Sequence, residues 1–73
     1  MSKTLIKSVR ANVKAAKKNA KMLKCNAAYA RLAAAQLSRE RLLDAGGSAR
    51  SVDKLLKSAR SAVDACHRKA FSR

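Results

Sequence analysis

The sequence predicts an all-α protein: a long helix over residues 4–44, a turn at 45–48, and a shorter antiparallel helix over residues 51–71. This single helical-hairpin domain, spanning residues 1–73, is expected to dimerise into an antiparallel helical bundle. Three observations carry the expectation. Apolar residues recur at steps of three and four through most of the chain, the spacing of one helix face. There is no proline, and the two glycines are adjacent, at Gly46 and Gly47. The helices on either side of that glycine pair differ about twofold in length, so the shorter cannot cover the longer.

The first helix is defined by a seam of Ile6, Val9, Val13, Ala16, Ala20, Leu23, Ala27, Ala30, Ala34 and Leu37 in heptad rhythm. Ser2 or Thr4 can cap its start. No glycine or proline interrupts it before Leu43, so at 1.5 Å per residue it would reach roughly 60 Å. Asn12, Asn19 and Asn26 recur at sevens on one flank of the seam, where they could read bases or register a helix interface; register is favoured, because asparagine near a seam is a device for specifying it.

Asp44-Ala45-Gly46-Gly47-Ser48 is the one conspicuous stop signal, with glycine suited to the left-handed conformation that closes a helix and Ser48 or Ser51 suited to cap the next. The second helix has its seam at Val52, Leu56, Ala59, Val63, Cys66 and Ala70, supplemented by Leu55, Ala62 and Phe71. Asp53 and Lys57, and Asp64 and Arg68, stand four residues apart and are spaced to pair along it.

Folded back, about 21 residues cover only the C-terminal half of about 40. Ile6, Val9, Val13, Ala16, Ala20 and Leu23 are then left without intramolecular cover. A second copy pairing along these residues is the favoured remedy; disorder until a partner arrives, or a fold-back after a break near Asn26, are the others. Small size points the same way, because a core of 73 residues is marginal alone.

Charge is the dominant compositional feature. The net charge is +14. Residues 1–39 hold seven lysines, three arginines and no acid, giving +10 against +4 for the remainder. Lys3, Lys7, Arg10, Lys14, Lys17, Lys21, Lys24 and Arg31 follow the steps of the seam offset by one residue, forming a cationic stripe about 100° around the helix from it. A solvated helix face would mix lysine with glutamate. Unrelieved cations repel one another, and phosphates would neutralise them.

Catalysis finds no footing. Glu40, Asp44, Asp53 and Asp64 lie near the turn or at ion-pair spacing, and no glycine-rich phosphate loop is present. No catalytic residue, metal site, cofactor or small-molecule substrate is expected. Cys25 and Cys66 come to similar heights in the hairpin, so a disulfide, or with His67 a partial metal site, is conceivable. Cys66 nonetheless reads as a small buried hydrophobe, Cys25 as an outer residue, and Cys66 and His67 diverge as neighbours on a helix.

The expected partner is therefore nucleic acid, gripped by its backbone without sequence specificity. Tyr29 and Phe71 are the only aromatics, too few to stack a single strand, so a duplex is favoured. Asn12, Ala15 and Ala16 resemble half of the basic-region core of bZIP proteins, Asn-x-x-Ala-Ala; Asn19 and Ala20 then depart from it. A rod with one cationic edge suits the shallow minor groove of double-stranded RNA, so RNA is favoured over DNA. The layout, a small basic helical hairpin that dimerises and lies along a duplex, resembles the nodavirus-type suppressors of RNA silencing. That resemblance implies sequestration of double-stranded RNA; it includes no shared motif and transfers no residue role.

Two other classes compete: a regulatory protein docking its basic face on an acidic partner, and a membrane-surface helix, disfavoured by the alanine seam and the lack of Trp anchors. Two cysteines and no long apolar run suggest the cytoplasm or the nucleus. Residues 1–24 share the basic, acid-free amphipathicity of mitochondrial presequences, but they are Lys-rich and their heptads continue beyond residue 24.

Overall fold

A computed structural model describes residues 2–71, with the Ser2 side chain outside the description. The described chain is all-helical: α1 (Ser2–Lys21), α2 (Cys25–Asp44) and α3 (Arg50–Phe71). It forms an elongated bundle with principal extents of 45 × 15 × 14 Å.

The expected long helix is broken. Met22, Leu23 and Lys24 reverse the chain, so in place of one helix over residues 4–44 there are two antiparallel helices, Ser2–Lys21 and Cys25–Asp44, of 20 residues each. The break is a complete helix-closing motif. The Lys24 amide donates to the Asn19 carbonyl at 2.9 Å, the Leu23 amide donates to that of Ala20 at 3.0 Å, and Leu23 takes a left-handed φ of 59°. No side chain caps the start of α2. Helix α1 already includes Thr4, and Ser2 capping lies outside the described side chains.

This reversal supplies the cover that the lengths demanded. Val9, Val13, Ala16 and Ala20 are buried within the single chain and Ile6 is half-buried, whereas Leu23 is 56% exposed in the turn. The length argument for a dimer along Ile6, Val9, Val13, Ala16, Ala20 and Leu23 therefore lapses, because α2 and α3 occupy the space reserved for a second copy. Of the three remedies, the fold-back is the one adopted.

The seam of α2 also differs from the heptad extrapolation. Cys25, Ala28, Leu32, Ala35 and Leu42 point inward, while Ala27, Ala30 and Leu37 are exposed. The inward set is displaced by two residues from the expected one, about 200° of helix rotation. Helix α2 is apolar nearly all round from Ala27 to Leu37, so the turn geometry and not the pattern selects its inner face.

Alanines at the centre, Ala16, Ala28, Ala35 and Ala59, are fully buried and leave room for close helix approach. Ser8 and Ser38 share a 3.0 Å hydrogen bond between α1 and α2, satisfying the buried hydroxyl of Ser38. Of the two candidate caps, Ser48 accepts a hydrogen bond from the Arg50 amide at 3.3 Å at the entry to α3. Asp53 does not pair along its own helix: its carboxylate binds the Arg39 guanidinium of α2 at 2.7 Å. This is the single ion pair among the described residues.

Candidate nucleic-acid interface

Polar contacts fix how α1 is turned. Ser8 meets Ser38, and the Arg31 guanidinium of α2 donates to the side-chain Oδ1 of Asn12 at 3.4 Å, so the flank of α1 carrying Ser8 and Asn12 faces α2. Asn12 also donates to the Ser8 carbonyl at 3.0 Å, which makes it a structural residue of this contact. Helical periodicity then places Lys3, Lys7, Arg10, Lys14, Lys17 and Lys21 on the other flank, toward α3. Lys3, Lys7, Arg10, Lys14 and Lys21 are exposed and Lys17 is half-buried.

A shallow groove of about 270 Å³ runs between the C-terminal halves of α1 and α3. Ala20, Ala62, Ala65 and Cys66 form its floor; Lys17 and Lys21 line one edge and Lys69 the other. Lys69, which the linear sequence leaves outside the stripe, is thereby brought opposite two of its members. Nothing in spacing along one helix could reveal this, because the pairing depends on the parallel placement of α1 and α3 that the reversal at Leu23 creates. Lys18 is exposed on α1 beside the same edge.

Two sequence-selected cations separate from the rest. Lys24 lies in the turn, exposed, and Arg31 is carried by α2 to the opposite side of α1, against Asn12. They do not extend the α1 stripe, because the chain has reversed before either is reached.

The second groove, of about 450 Å³ between α2 and α3, is chemically different. Its lining of Gln36, Arg39, Glu40, Asp53, Leu56, Lys57 and Arg60 interleaves acids with cations. The charges there answer one another, as Arg39 and Asp53 do directly. The α1–α3 groove has no acid in its lining.

Cys25 and Cys66 are joined in a disulfide, with Cα atoms 5.7 Å apart, tying the first residue of α2 to the last turns of α3. The expectation of an outer Cys25 is corrected: the reset of the α2 face turns it inward. Cys66 forms part of the floor of the groove that Lys17, Lys21 and Lys69 border, so one end of the bond lies at that groove. Among the described residues no cluster of His, Cys, Asp and Glu is placed to hold a metal ion, and no helix is long and apolar enough to cross a membrane.

Compared with known proteins, the chain matches no family model, no curated protein and no solved structure.

Proposed function

We propose that this protein binds the phosphate backbone of duplex nucleic acid without sequence preference, double-stranded RNA over DNA, through the α1 edge and Lys69. The observation that carries the reading is the segregation of charge: cations crowd the α1–α3 side with no acid among the groove lining, while acids intersperse the α2–α3 groove. Uncompensated cations along one edge release counterions when they meet phosphates, and that release is the main source of non-specific affinity. Lys3 to Lys21 spans most of a helix about 30 Å long, a length suited to several successive phosphates. The small side chains of Ala62 and Ala65 would let a sugar-phosphate ridge approach closely, and the width and 2′-hydroxyls of an A-form minor groove favour RNA at such a surface. No chemical conversion is included in this reading; the protein acts by binding and shielding. Of the layout that resembles nodavirus-type silencing suppressors, a small basic helical hairpin that dimerises and lies along a duplex, the three-helix chain keeps the basic helical surface.

One observation favours a second reading. An alanine floor bordered by three lysines also fits an acidic amphipathic helix of a protein partner.

Fluorescence anisotropy with duplex RNA, duplex DNA and single strands across a salt series separates these. Duplex binding should weaken steeply with salt, and Lys14→Ala, Lys17→Ala, Lys21→Ala and Lys69→Ala should each reduce the log–log salt slope by about one. Lys57→Ala, in the mixed groove, should leave the slope unchanged. Absence of duplex binding at low salt would end this reading in favour of the acidic protein partner.

A further inference from the structure

Each helix of the bundle turns one face outward, and that of α2 differs from the others. Between Cys25 and Ser38 the helix carries one charge, Arg31, and this is directed at Asn12 of α1. The outward arc holds Asn26, Tyr29, Ala30, Ala33, Leu37 and Glu40, all exposed, with Tyr29 at 60% and Leu37 at 49%. A helix that is apolar on its outer as well as its inner face ordinarily has a neighbour on both. The outward faces of α1 and α3 present Lys18, Arg50, Lys54 and Arg68 to solvent.

We infer that this face pairs with the same face of a second copy of the chain, α2 against α2 in antiparallel orientation. The order of residues is the first argument. Asn26, Tyr29, Ala33, Leu37 and Glu40 are separated by three, four, four and three residues, a spacing that reads the same in both directions. A two-fold axis through Ala33 therefore sets Tyr29 of each copy against Leu37 of the other, and Asn26 against Glu40. Such self-complementarity is what an isologous interface requires and what an unrelated partner does not. Ala33 on the axis, with Ala30 beside it, allows the helix axes to come close.

Charge supplies the second argument. Glu40 and Asp44, with the exposed Arg41 between them, leave the C-terminal end of α2 net negative, and Lys24 immediately precedes its N-terminal end. Antiparallel pairing brings the acids of one copy toward the lysine of the other; parallel pairing would set acid against acid. With a net charge of +14 on each chain, two copies can approach only through a face that is nearly free of cations. The α2 face meets that condition, and it is turned away from the α1–α3 groove. Association would thus leave both cationic grooves open, facing away from each other.

A single helix pair lies at the lower end of stable interface sizes, so dissociation in the range of about 10–100 μM is expected. Sedimentation equilibrium of the intact, disulfide-bonded protein should show the mass double across this range. Leu37→Glu should weaken association more than about tenfold while leaving helicity unchanged, since Leu37 is half exposed within the chain. A nitroxide attached at Ala33→Cys should report a short distance to its own copy, whereas one at Ala27→Cys, off the arc, should not. A monomer at several hundred μM, or a dimer indifferent to Leu37→Glu, would overturn the inference. Neither result bears on duplex binding, which is read separately from the salt slope.

Discussion

The two turns of this bundle are built by the same hydrogen-bond ring around different residues. After α1, Lys24 and Leu23 donate back to Asn19 and Ala20; after α2, Gly47 and Gly46 donate back to Leu42 and Leu43 at 2.9 and 3.0 Å. In both, the residue donating the shorter loop is left-handed, with φ of 59° at Leu23 and 83° at Gly46. Glycine takes that conformation freely, whereas a side chain pays about 1 kcal/mol or more for it. The second turn is therefore encoded locally and the first is imposed. What imposes it is tertiary: the turn allows Val9, Val13, Ala16 and Ala20 to be buried against α2 and α3, and the disulfide holds Cys25, two residues beyond Leu23, to α3.

If the first turn is held from outside, severing its tether should be the largest perturbation. The Cys25–Cys66 bond closes a sequence separation of 41 residues. Chain-entropy arguments for such a loop give about 3–4 kcal/mol. Reduction, or Cys25→Ser with Cys66→Ala, should lower stability by this order in chemical denaturation. A smaller loss, under about 1 kcal/mol, would mean that burial alone closes the turn.

Substitutions at the second turn come next. A Cβ at Gly47 would lie 2.5 Å from Leu42 Cδ1, and Leu42 is fully buried. Gly47→Ala should then cost about 2 kcal/mol, through displacement of a core side chain. Gly46→Ala meets no atom within 4 Å and should cost only the conformational term, about 1 kcal/mol. Equal losses at the two glycines would show that Leu42 relaxes without penalty.

The smallest effect should have the opposite sign. Leu23→Gly relieves the left-handed side chain and forfeits little burial, but it also loosens the unfolded chain. A net gain of about 0.5 kcal/mol is expected, with a thermal midpoint higher by a few degrees. A loss would indicate that Leu23 contributes packing to the turn that outweighs its strain.

Much of the molecule is legible from residue order. The helical class, the turn at Gly46-Gly47, the cap at Ser48 and the seam Val52-Leu56-Ala59-Val63-Cys66 of α3 all follow from periodicity and local conformational preference, quantities that depend on neighbours within a few residues. The cationic stripe of α1 is legible for the same reason: Lys3 to Lys21 share a face because they share a helix.

The tertiary structure decided what depends on residues far apart. It closed α1 with a left-handed leucine two residues past Lys21, Leu23, that no local rule marks as a stop, because the burial of two seams outweighs the strain at one residue. It chose Leu32 and Leu42 over Ala30 and Leu37 as the inner face of a helix apolar on nearly every side. By reversing the chain it removed Lys24 and Arg31 from the stripe, brought Lys69 to face Lys17 and Lys21, and joined Cys25 to Cys66. Sequence order fixes which residues share a helix; which helices share a groove is set by the packing of all three.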